Sequence, residues 1–83
     1  MTSELRMTVR REEAVLVRVI GLVVRRGFEP TRVCAAADLD FGTVAIAMRV
    51  ESERDVDVLV RQLLRLNEVE RVEVMHGGDT SGR

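Results

Sequence analysis

The chain has 83 residues, thirteen basic (all arginine) and fourteen acidic, for a formal net charge of −1. That is the length of one domain, and its charge balance provides no field able to hold nucleic acid. Apolar residues make up 46% of it, but only Phe28 and Phe41 are aromatic and only Cys34 carries a thiol, which excludes an aromatic core, an internal disulfide and a CxxC metal motif.

Glu4 to Arg10 alternates strictly, with Leu5, Met7 and Val9 against Glu4, Arg6, Thr8 and Arg10. This is the pattern of a half-buried strand. Arg11, Glu12 and Glu13 form a charged turn, and both glutamates are expected in the first turn of a helix, where anions complement the dipole. The helix runs to about Arg26. Gly27 stands where a C-terminal cap belongs, and Arg25 and Arg26 lie at the negative end. Val15, Leu16, Val19, Ile20, Leu22 and Val23 share one wide apolar face. Ala14, Val17, Gly21 and Val24 form a second apolar strip beside Arg18 and Arg25. A mid-helix glycine costs about 1 kcal/mol relative to alanine, so Gly21 either admits another backbone or side chain or accommodates packing within the domain.

Pro30 suits a strand start or edge. A second strand is expected from about Glu29–Thr31 through Val33, Cys34 and three alanines. Asp38-Leu39-Asp40-Phe41-Gly42 carries turn chemistry, with Gly42 supplying backbone freedom. Thr43 to Val50 is a third strand, with Val44, Ile46, Met48 and Val50 on one face and Thr43, Ala45, Ala47 and Arg49 on the other. Ser52 followed by Asp55 resembles a capping box. The helix it opens gathers Val56, Leu59, Val60, Leu63 and Leu66, with Arg54, Asp57, Arg61 and Arg65 opposite. Val69 to His76 reads as a last strand with Val72 and Val74 inward. The domain is expected over residues 1–76, followed by a polar, disordered tail at 77–83.

The order βαββαβ, with short connections and right-handed crossovers, predicts an α+β, ferredoxin-like sandwich. Its four-stranded antiparallel sheet would run 4-1-3-2, with both helices on one face and the second strand at an edge. The other face would be paved with small residues. Arg32, Cys34, Ala36, Ala45 and Ala47, together with Val17, Gly21 and Val24 on the first helix, are the candidate interface residues. So thin a core favours an oligomer or a larger partner, since a domain of this size buries only about 60–65% of its unfolded surface.

The residues offer no catalytic constellation. His76 has no Cys or Ser beside it by local spacing, and Cys34 reads as a small buried hydrophobe in a strand, away from the helix N-terminus that would activate it. No GxGxxG, P-loop or strand aromatics for stacking bases appear. No apolar run reaches membrane length and no signal-peptide pattern opens the chain, so a cytoplasmic, membrane-free protein is expected. The turn before the first helix is the candidate ligand site, because helix N-termini offer free N–H groups to carboxylates. Glu12 and Glu13 oppose an anion there.

Arg18-Val19-Ile20-Gly21-Leu22, followed by Arg26-Gly27-Phe28, closely resembles the first helix of the ACT domains in acetolactate synthase small (regulatory) subunits. Val56 to Leu63 and then Leu66-Asn67-Glu68-Val69 resemble the second helix and its exit. The resemblance extends over roughly Leu5 to Met75, and the length is that of the short, single-ACT form. It implies a non-catalytic subunit that activates a separate thiamine-diphosphate enzyme. That enzyme condenses pyruvate to acetolactate, or pyruvate with 2-oxobutyrate to acetohydroxybutyrate. The resemblance places thiamine diphosphate, Mg and FAD on the catalytic subunit and none on this chain. It also implies a homodimer paired through edge strands into an eight-stranded sheet. An effector such as valine would then lie between the first turn of one subunit, Arg11 to Val15 here, and the start of the other's second strand, Glu29 and Pro30. The family's valine pattern has Asn, Gly and Asn where this sequence has Arg11, Ala14 and Glu29. Ionised Glu29 cannot donate a hydrogen bond, and Ala14 adds a methyl where close approach is needed. Weak or absent valine binding is therefore expected. The alternative is a stand-alone amino-acid sensor serving another enzyme.

Overall fold

The computed structural model describes residues 1–75, so the expectations for His76 and the tail lie outside the described residues. The elements are β1 (Thr2–Arg10), α1 (Val15–Arg25), β2 (Glu29–Asp38), β3 (Thr43–Glu51), α2 (Val56–Leu63) and β4 (Val69–Met75). The sheet order is β2-β3-β1-β4 and every pair is antiparallel. This is the expected ferredoxin-like sandwich.

Alternation along the strands decides which face is dry. Leu5, Met7 and Val9 of β1 stand opposite Met48, Ile46 and Val44 of β3. They meet Val15, Val19, Leu22 and Val23 of α1 and Leu59 and Leu63 of α2 in a core that contains no polar side chain. Leu16, Ile20, Val56, Val60 and Leu66 line its margin, as the helical periodicity requires.

The end of α1 is set by backbone geometry. The Phe28 N–H donates to the Val23 carbonyl and the Gly27 N–H to the Val24 carbonyl, both at 3.1 Å. Gly27 has φ +89°. This is the paired closure in which a left-handed glycine satisfies the last carbonyls, and an apolar residue after it packs back on the helix. Phe28 and Val23 are both buried. One motif thus stops the helix, seats the core's one buried aromatic residue and launches β2.

Three local expectations are corrected. Neither Glu12 nor Glu13 is in the first turn of α1, which begins at Val15 after Ala14 and contains no acidic residue. The α2 cap is Asp55 itself, whose carboxylate accepts from the Asp57 N–H at 3.0 Å. Ser52 instead accepts from the Arg54 N–H at 3.0 Å and donates to the Gly27 carbonyl at 2.8 Å, joining the two helix–strand corners. Cys34 is exposed, because it lies on the sheet face that the helices leave bare.

Replacing the helix cap tests the second correction. Asp55→Ala should lower the unfolding free energy by about 1 kcal/mol, read by urea denaturation.

Candidate functional site

The β1–α1 turn is held from three sides. The Arg10 N–H and its Nη1 donate to the carbonyls of Glu68 and Asn67, both at 2.7 Å. The Arg11 N–H donates to the Gly42 carbonyl at 2.8 Å. Arg18 reaches back from α1 to the Glu13 carbonyl at 3.3 Å and pairs with the Glu68 carboxylate. No spacing in the sequence points to that pair, whose members are fifty residues apart. Glu12 is occupied with Arg10 Nε at 3.0 Å.

Ala14 sits at the head of α1 with φ 60°, the one non-glycine residue with positive φ among those described. The left-handed region disfavours an L side chain. The position matched to a glycine by sequence resemblance is therefore one where the backbone itself favours glycine.

The chain does not bring all the candidate ligand residues together. Arg11, Glu12, Glu13, Ala14 and Val15 follow β1 at the end where Arg10 faces Thr43. Glu29 and Pro30 face Glu51 and Val50 at the other end of the sheet. The eight-residue rise between these ends is about 27 Å. A single copy therefore contains two separated halves.

The candidate interface residues form two exposed groups. Val17 and Val24 on α1 are 71% and 55% exposed. Between them, a Cβ on Gly21 would meet only the Arg25 guanidinium, at 3.3 Å, so no packing within the domain uses the space above it. Arg32, Cys34, Ala36, Ala45 and Ala47 lie on the open sheet face. Cross-strand rows there run Cys34–Ala47–Arg6–Glu73 and Ala36–Ala45–Thr8–Arg71. They floor an open hollow of about 570 Å³. Sequence reading did not single out Leu39 and Phe41, which are 72% and 80% exposed at the tip of the β2–β3 hairpin. The available signal was two large apolar side chains inside a run of turn formers. No group of three or more metal-ligating side chains occurs among the described residues.

A family model described as the ACT domain matches residues 11–72. The chain belongs to the ACT-domain family. ACT domains are regulatory, non-catalytic modules that generally serve partner enzymes and bind amino acids. No curated protein matches in sequence. Among solved structures, the ACT domain is similar to that from GTP pyrophosphokinase of Chlorobium tepidum, with 12% identity, coverage of 90% of this chain and 97% of that one, and a TM-score of 0.77. It is similar to the acetolactate synthase small subunit from Thermotoga maritima, with 21% identity, coverage of 89% and 47%, and a TM-score of 0.78. It is also similar to formyltetrahydrofolate deformylase from Burkholderia mallei, with 14% identity, coverage of 89% and 27%, and a TM-score of 0.70. At these identities the likeness is one of fold. The ACT domain spans about half the length of the Thermotoga small subunit.

Two measurements probe the turn. The Glu68 carboxyl is held below the usual glutamate range, first by its own backbone N–H and then by Arg18, against an opposing effect of desolvation. A depressed carboxylate stabilises the fold above its unfolded pKa, and that contribution is lost as pH falls through the folded value. Glu68→Gln should be less stable than wild type at neutral pH, and the gap should close at acid pH, as read by denaturation at both. Ala14→Gly should raise stability by about 0.5–1 kcal/mol, the relief of left-handed strain exceeding the entropy cost of glycine. Its melting temperature should rise by about 2–8 °C.

Proposed function

We propose that this ACT domain is a regulatory subunit of acetolactate synthase, acting by contact with a separate catalytic subunit in branched-chain amino acid biosynthesis. The observation that carries the reading is the Arg18–Leu22 and Arg26–Phe28 sequence. These residues form α1 and its closing turn, while the same helix leaves Val17, Gly21 and Val24 uncovered. On this reading thiamine diphosphate, Mg and FAD would belong to the catalytic subunit and none to this chain, and the assembly would be cytoplasmic. To activate, the subunit must bind the competent form of the enzyme better than the incompetent one.

The separated halves of the ligand site support a homodimer paired through β2. An antiparallel second copy of β2 would bring its Glu29 and Pro30 toward the end that holds Arg11 and Ala14. The resulting pocket suits valine poorly, since Glu29 is an acceptor and Glu13 adds negative charge beside the effector's carboxylate, Glu12 being paired with Arg10. A second reading is an amino-acid-sensing module for another enzyme. It draws on structural neighbours that include GTP pyrophosphokinase, formyltetrahydrofolate deformylase and homoserine dehydrogenase.

Co-expression with an acetolactate synthase catalytic subunit should raise acetolactate turnover. No rise would overturn the first reading, and a thermal shift with one amino acid would then favour the second. Calorimetric titration with valine should detect no micromolar binding, and a micromolar Kd would refute the weakened site.

A further inference from the structure

We propose that the tip of the β2–β3 hairpin of one copy of this chain docks in the alanine-floored hollow on the open sheet face of a second copy. The two surfaces match in shape, polarity and charge. The hollow, about 570 Å³, has a floor of Ala36, Ala45 and Ala47 with Cys34 on the edge strand, and carries two cations, Arg6 and Arg71, against one carboxylate, Glu73. The hollow is an open depression, suited to a shallow convex group and not to a small molecule that must be enclosed. Arg71 is paired with Glu73 at 3.2 Å, whereas Arg6 has no ion pair among the described residues.

The tip is convex and apolar, with acid beside it. Phe41 is one of two aromatic residues in the chain, and it is 80% exposed where the other, Phe28, is 3% exposed. Large aromatic side chains are the usual anchors of protein interfaces. The turn that carries Phe41 is already ordered. The Asp38 carboxylate accepts from the N–H groups of Asp40 and Phe41 at 3.1 and 3.3 Å, and the Gly42 N–H donates to the Asp38 carbonyl at 2.9 Å. Docking a preformed knob loses little conformational freedom. Asp40 has no ion pair among the described residues, and its charge is opposite to that of Arg6.

A second copy fits this hollow better than other arrangements. Two concave alanine floors placed face to face would leave a void, whereas a knob fills one. The knob does not fill the hollow of its own chain, since Leu39 and Phe41 stay 72% and 80% exposed, and Leu39 lies five residues from Cys34 along an extended strand, about 16 Å. The contact uses the sheet face and makes no demand on the free backbone of β2, the edge strand.

The test is sedimentation of the full chain over a range of concentrations, with circular dichroism confirming that each variant is folded. Phe41→Ser should weaken self-association by about thirtyfold or more. Arg6→Glu and Asp40→Arg should each weaken it by about tenfold, and together restore it to within about threefold of wild type. In Leu39→Cys, mild oxidation should link position 39 to Cys34 of a second copy, a bridge that spacing forbids within one chain. Association that is unchanged in these variants, with no 39–34 link, would overturn the proposal and leave edge pairing standing. A wild-type chain that is monomeric throughout would overturn both.

Discussion

The register of β1 against β3 is the constraint on which the molecule depends. Leu5 faces Met48 and Met7 faces Ile46, and the buried strand residues follow from those pairs. A slip of one residue would turn one strand over against the other and put either Arg6 and Thr8 or Ala45 and Ala47 against the helices. The register therefore does two things at once. It fills one side with Leu, Ile, Met and Val, and it gathers on the other side the small residues and arginines that make a second, shallower surface.

That division explains how a module with no catalytic apparatus can act. Its polar groups are spent on holding turns: Arg10 and Arg18 anchor the turn before α1, Ser52 bridges two corners, and Asp38 and Asp55 organise the backbone after them. Its apolar groups exceed what one core uses. Val17, Val24, Leu39 and Phe41 remain in water. In a chain of this size such residues have more value in contacts with other polypeptides than in further internal packing.

Much of this was legible in the sequence because the signals were periodic. Alternation in Glu4–Arg10 and Thr43–Val50 gave two strands and their inward residues, and the Arg26-Gly27-Phe28 run gave the end of α1. The errors fell where periodicity carries no information. Glu12 and Glu13 read as helix-dipole partners, but the left-handed Ala14 delays the helix until both have passed. Ser52 and Asp55 have capping-box spacing, yet the chain turns later and the second residue takes the cap. Cys34 reads as buried by residue type, and only the sheet's bare side reverses that. The division of the ligand residues between two subunits came from the family resemblance alone, and in one chain strand direction sets Arg11–Val15 and Glu29–Pro30 at opposite ends of the sheet.

β2 has ten residues and not one of them is buried. Its order rests on the backbone ladder to β3, with almost no apolar anchorage of its own. The Gly42 carbonyl in the turn of that hairpin accepts the Arg11 N–H at the head of the β1–α1 turn. The least anchored ribbon among the described residues is thus tied directly to the turn that opens α1. Anything that stiffens the ribbon from outside also steadies that turn, and the reverse holds by the reciprocity of coupled equilibria.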